Sequence, residues 1–397
     1  MKSVTGQTVL DALDAIPAGR TLRAAAADLA GVHVVGGAVR DLLVGTSPRE
    51  LDVVVDGDPA DLIARLDELG GADPGLGVVR HARFATSSVD VAGGRIDIAR
   101  SRRERYARPG ALPDVEPAPL ADDLLRRDFT VNAIAVSLSD GRLDAAAGAL
   151  DDLAAGRLRV LHDDSFTDDP TRLLRLARLR SRLGFTVDPH TADLASAAGL
   201  GSVSLARIGT ELRLALAEPD PVAALAALAE LPGLPLDVDR DLIGRAADLL
   251  VADGRADLLL LGTATRRRAG TAWLAGLELT AHERDIVLAT WDAGPLARAI
   301  AAAGGLPSEL RAALGRQPVE AVALAGALGP AEAAGRWLGD LRHVSLEIDG
   351  GDLIAGGIAP GPELGRRLDR TLARKLDGHL PPGREAELAS ALLPDPE

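Results

Sequence analysis

The sequence predicts an α+β protein, with a mixed-sheet N-terminal domain followed by a long, all-helical remainder. Three observations carry this prediction. Short β-branched runs bounded by glycine, proline and charge recur up to about Asp144. Beyond that point alanine and leucine recur at i, i+3 and i+4 spacing. Proline pairs then punctuate the helical stretches. At 397 residues the chain has room for two or three domains.

Val32–Val35 and Leu51–Val55 are the first two strand-like runs. Gly36-Gly37 ends the first of them, and Ala38–Leu43 has helix character. Gly93-Gly94 reads as a turn feeding a third strand, Arg95–Ile98. Phe129–Leu138 is a fourth apolar run, closed by the turn signal Ser139-Asp140-Gly141. Leu173–Leu183 interleaves leucine with arginine at helical spacing. Pro219-Asp220-Pro221 and Leu231-Pro232-Gly233-Leu234-Pro235 break the later helices, and no internal repeat of fixed period is present.

The absence of cysteine excludes disulfides and thiolate zinc sites. The N-terminus lacks a basic segment leading into an apolar one, unlike a signal peptide. No apolar run approaches the roughly 20 residues that span a bilayer, so no membrane association and a cytoplasmic location are expected. Lysine occurs only at Lys2 and Lys375, a bias that reads as genomic composition. The net charge of −14 argues against a protein that coats nucleic acid. Local clusters such as Arg100–Arg108 and Arg172–Arg182 still permit a local grip on RNA.

Glu50 and Asp52 stand two apart on a predicted strand, so both side chains leave one face. Adjacent carboxylates repel unless a cation sits between them, and hard oxygen ligands suit Mg²⁺ with substrate phosphates completing the shell. Asp97 is a candidate third carboxylate from a neighbouring strand. Such a set provides the parts for metal-assisted phosphoryl transfer. The alternative is a solvated acidic edge. Gly36-Gly37, opening a helix, adds backbone N–H groups able to cradle phosphates.

Gly36-Gly37-Ala38-Val39-Arg40-Asp41, followed by Glu50-Leu51-Asp52, resembles the head-domain signature of class II tRNA nucleotidyltransferases and bacterial poly(A) polymerases, members of the polymerase β superfamily. Further matches follow in the family's order. Ala99–Tyr106 with Pro109-Gly110-Ala111-Leu112-Pro113 resembles the strand and arginine-bearing loop. Asp123-Leu124-Leu125-Arg126-Arg127-Asp128-Phe129-Thr130-Val131-Asn132-Ala133 resembles the most specific motif. Asp168-Asp169-Pro170-Thr171-Arg172-Leu173-Leu174-Arg175 resembles the base-reading motif, and Arg207-Ile208-Gly209-Thr210-Glu211-Leu212 the one closing the neck. The match spans about 33 to 213, with a weaker one over 346 to 378.

The resemblance implies a polymerase β-like nucleotidyltransferase head over 20–145. A helical neck for base recognition over 146–215 and an RNA-binding body and tail over 216–397 would follow. It implies Mg²⁺-dependent, template-independent addition of CMP and AMP from CTP and ATP to the tRNA 3′ end. Glu50, Asp52 and Asp97 would be catalytic, the first two as metal ligands. Gly36, Gly37, Arg40, Arg127, Asp128, Asn132, Asp169, Arg172 and Arg175 would contact the nucleotide. Arg40 alternatively partners Asp41, and Arg127, Asp128 and Asn132 alternatively form a salt bridge and turn. A CC- or A-adding enzyme or a poly(A) polymerase shares these motifs, and a non-catalytic RNA-binding relative is a third alternative.

Asp169 and Arg172 share one helix face at i, i+3. A carboxylate accepts and a guanidinium donates, which complements the amino group and ring nitrogen of cytosine and adenine. Uracil and guanine present the opposite polarity, and each mispaired buried group costs roughly 1–3 kcal/mol. The alternative makes Asp169 an N-cap before Pro170 and Arg172 a solvated first-turn residue. Two departures from the family pattern are plain. Glu50 stands where Asp is usual, and Asp97 where many relatives carry Glu, so the two changes are expected to compensate.

Overall fold

The computed structural model describes residues 5–70, 78–81 and 86–394. Helices α1 (Gly6–Ala15) and α2 (Pro17–Ala25) precede strand β1 (Val32–Val35), whose four residues are all buried. The chain then runs through α3 (Gly36–Leu43), β2 (Glu50–Val55), α4 (Ala60–Gly70), β3 (Val78–His81), β4 (Thr86–Val91) and β5 (Gly94–Arg100). A ribbon of β6 (Arg102–Arg105) and β7 (Asp114–Pro117) leads to α5 (Leu120–Leu125), β8 (Ile134–Ser137) and β9 (Leu143–Ala145).

Seven strands form one sheet in the order β3-β4-β5-β2-β1-β8-β9. Only β2 and β5 pair in parallel; the other neighbours are antiparallel, so the sheet is mixed as expected. On β2, Leu51, Val53, Val54 and Val55 are buried while Glu50 is exposed and Asp52 half-buried. The apolar side of the strand therefore anchors it in the core, and the opposite face carries the acids.

Phe129–Leu138 is not a single strand. Thr130–Asn132 makes a 3₁₀ turn and only Ile134–Ser137 is extended. The cause is local: Asp128 Oδ1 accepts from the Phe129 N–H and from Asn132 Nδ2, both at 2.8 Å. Those bonds fold the backbone back before it can join the sheet.

The first unit continues with α6 (Ala149–Ala155), β10 (Arg157–Leu158), α7 (Ser165–Asp168), α8 (Thr171–Leu183), β11 (Thr186–Val187) and α9 (Pro189–Ala197). Helix α8 is the leucine–arginine segment; Gly184 in left-handed conformation stops it. This unit comprises residues up to Val203 together with Leu231–Gly233.

The second unit, Ser204–Glu230 and Leu234 onward, is helical among its described residues. It holds α10 (Leu205–Leu216), α11 (Pro221–Ala229), α12 (Arg240–Leu249), α13 (Ala256–Thr265), α14 (Thr271–Ala275) and α15 (Ala281–Trp291). There follow α16 (Ala293–Ala302), α17 (Pro307–Leu314), α18 (Val319–Ala327), α19 (Ala331–Gly339), α20 (Gly350–Ala355), α21 (Pro362–Leu376) and α22 (Arg384–Leu392). Helix α18 is apolar nearly all round and sits at the centre of the core, against Leu242, Leu259, Ile300, Leu314 and Trp337. Its one acid, Glu320, is buried but accepts from the Arg255 N–H at 2.6 Å. The last three helices pack on a small cluster of Ile348, Leu353 and Ala391. There Arg367 Nη1 donates to the carbonyls of Ala391, Leu392 and Leu393, closing the C-terminal end of α22. No helix among the described residues is long and apolar enough to cross a membrane.

Candidate active site

The parallel register of β2 and β5 sets Asp52 directly beside Asp97. Glu50, two residues earlier on the same face, brings a carboxylate oxygen to the same place; one oxygen from each acid lies within 4.8 Å of the others. Asp97 Oδ1 is buried without a hydrogen-bond partner. Burial pushes the Asp52 carboxyl up to about 6; Arg127 pulls it down, and Glu50 and Asp97 add to the rise. Crowded carboxylates with an orphaned oxygen form a donor set suited to a hard divalent cation, which would remove their mutual repulsion. The residues present fit Mg²⁺.

The glycine turn lies against this cluster. Gly36 has φ +70°, in the left-handed region that favours glycine. A Cβ there would stand 2.5 Å from Arg127 Nη1 and 3.5 Å from Asp52 Oδ2. Gly36 is thus required twice, by its backbone angle and by the guanidinium laid over it. Arg127 Nη2 donates to Asp123 Oδ2 at 2.9 Å, which fixes that guanidinium beside the acids.

Arg40 is buried, and its Nε and Nη2 donate to Asp41 Oδ1 at 2.9 and 2.6 Å. Its Nη1 donates to Asn132 Oδ1. The structure therefore realises the internal pairing of Arg40 with Asp41. Asn132 passes the chain on to Asp128, whose Oδ2 accepts from Arg175 Nε at 2.8 Å and Nη2 at 2.7 Å. Burial opposes ionisation of Asp128, but Arg175 and the Asn132 amide outweigh it and hold the carboxyl well below the usual range.

Asp169 Oδ1 accepts from the N–H and hydroxyl of Thr171, at 3.0 and 2.7 Å, so it caps helix α8 from one residue before Pro170. Arg172 is buried instead of solvated. Its Nη1 donates to Ser165 Oγ at 2.5 Å and its Nη2 to the Arg126 carbonyl at 2.7 Å. These two bonds hold the guanidinium plane beside the Arg126–Asp128 segment. Sequence reasoning assigned no role to Asp123, which is fully buried and accepts from Arg126, Arg127 and the Arg102 N–H. Its spacing of three and four residues from two arginines was the available signal.

The Poly A polymerase head domain family matches residues 32–159. A CC-adding tRNA nucleotidyltransferase of Deinococcus radiodurans is 35% identical over 350 residues, which take in 84% of this chain and 82% of that protein. An A-adding tRNA nucleotidyltransferase of Halalkalibacterium halodurans is 41% identical over 211 residues, 50% of this chain, and the match spans about half (48%) of that relative's length. Among solved structures, a CCA-adding enzyme in an apo form aligns with a TM-score of 0.74 at 27% identity, covering 97% of this chain and 95% of that one.

Proposed function

Since the chain belongs to the class II tRNA nucleotidyltransferases, we propose that it adds CMP or AMP, from CTP or ATP, to the 3′ end of tRNA and releases pyrophosphate without a template. The observation that carries this reading is the carboxylate set of Glu50, Asp52 and Asp97 beside the glycine turn. The relatives, named for CC and A addition to tRNA, supply the acceptor.

In this reading Glu50 and Asp52 are the metal ligands, with Asp97 the third acid of the site. Mg²⁺ held there would supply charge neutralisation at the triphosphate and acidify the RNA 3′-hydroxyl. The N–H groups at Gly36-Gly37 receive phosphate oxygens. Arg127, fixed by Asp123, adds a positive charge at the same end. Asp128 and Asn132 face the ribose, and Arg175 keeps Asp128 ionised. Asp169 and Arg172 select cytosine and adenine by the edge chemistry set out above. Asp169 Oδ1 also caps helix α8. Residues 20–145 act as the head, 146–215 as the neck, and 216–397 bind RNA.

A second reading, an enzyme restricted to CC or to A addition, is favoured by the names of the two relatives. One experiment covers both. The protein with Mg²⁺ is given tRNAs ending before CCA, after C and after CC, with labelled CTP or ATP, with and without a chelator. Chelator-sensitive incorporation is expected; incorporation at only some of the three ends identifies a partial enzyme. No incorporation on any tRNA overturns the proposal, and long A tails on unrelated RNA would identify a poly(A) polymerase.

A further inference from the structure

Helix α8 presents two arginines to the sheet side of its unit, Arg175 and Arg182, seven residues and about two turns apart. Each grips a buried carboxylate. Arg175 donates to Asp128 Oδ2, and Arg182 Nη2 donates to Asp41 Oδ2 at 2.5 Å. Arg40 and Asn132 bridge the two carboxylates. The result is a continuous chain from one turn of α8, through helix α3 and the 3₁₀ turn, back to another turn of α8.

The order of groups explains each residue type. Asp41 serves two guanidiniums with different oxygens, Oδ1 for Arg40 and Oδ2 for Arg182. Asn132 must accept from Arg40 and donate to Asp128, and an amide does both where an ionised carboxylate could only accept. Asp41 is 3% exposed and Arg40 likewise 3%, so neither can substitute water freely for a lost partner.

We propose that Asp41 and Arg182 are positioning residues for nucleotide addition. They lock Arg40, and through it Asn132 and Asp128, to the helix that carries Arg172 and Arg175. The glycine turn and the base-reading helix then keep one fixed separation, so a triphosphate held at one end meets the base contacts at the other. This inference rests on the nucleotidyltransferase reading above.

The test is steady-state kinetics of Arg182→Ala, Arg182→Lys and Asp41→Asn with a tRNA substrate, alongside thermal melting. Arg182→Ala is expected to raise KM for the nucleoside triphosphate by roughly 10-fold or more, the scale of lost orienting contacts, with a smaller change in kcat. Arg182→Lys is expected to recover most of that loss, since an ammonium can still donate to Asp41. The Arg182→Ala/Asp41→Asn double variant is expected to be no worse than the poorer single variant, because both break one chain. Arg20→Ala, which removes the same charge from an exposed position on α2, is expected to leave KM unchanged. An unchanged KM in Arg182→Ala, a lowered melting temperature as its only effect, or additive losses in the double variant would each overturn the inference. Inactivity of the unmodified protein on every tRNA would instead overturn the nucleotidyltransferase reading.

Discussion

Asp128 shows how one side chain serves fold and site together. Its Oδ1 ties off the 3₁₀ turn and its Oδ2 receives Arg175 from helix α8. Because its folded-state pKa is depressed, its stabilising effect is fully present above the unfolded value, about 3.9. That effect is lost as pH falls below it. Asp128→Asn is therefore expected to be less stable at pH 7 by roughly 1.5–3 kcal/mol, the worth of hydrogen bonds to a charged group. The gap should shrink towards pH 3, as followed by urea unfolding with circular dichroism. A gap that stays constant down to pH 3 would refute the assignment. The acids were legible in the sequence because strand alternation alone puts Glu50 and Asp52 on one face. The pairing of Asp41 with Arg182 was not, since nothing local links residues 141 positions apart.

At the scale of elements, those with a single strong period were the readable ones: β1, β2, β5 and helix α8. Strands β6 and β7 have no period of their own to read, because Arg102-Arg103-Glu104-Arg105 and Asp114-Val115-Glu116-Pro117 carry almost no apolar alternation. Their pairing is held by backbone bonds and by the cross-strand ion pair Arg105–Glu116, while Arg103–Asp122 and Arg126–Glu104 tie β6 to the α5 segment. The structure turns most of the basic residues of α21 inward. Arg367 and Arg370 close the end of α22, Arg374 donates to Ser390, and Lys375 pairs with the buried Glu387. Arg367→Ala is expected to fray α22. Amide exchange over 384–392 should accelerate by about 5–30-fold, equivalent to roughly 1–2 kcal/mol at a helix C-terminus. Unaltered exchange in that segment would show that the carbonyls have other sufficient partners.

At the scale of the whole molecule, the chain holds two units with separate cores, one around the sheet and one around α18. All three tryptophans, Trp273, Trp291 and Trp337, belong to the second. Melting followed by tryptophan fluorescence is accordingly expected to report that unit alone, and to part from the circular dichroism curve, which reports both. Adding CTP with Mg²⁺ should shift only the dichroism transition that fluorescence does not see. Coincident curves under both conditions would show a single cooperative structure. The parallel pairing of β2 with β5 has a consequence for how such an enzyme diversifies. The spacing of Asp52 and Asp97 is set by backbone hydrogen bonds, at the ~4.8 Å interval common to all sheets. On the proposed function, side chains on α8 can then drift, and with them the choice of base, while the gauge between the two acids stays constant; chemistry and selectivity would be separately heritable.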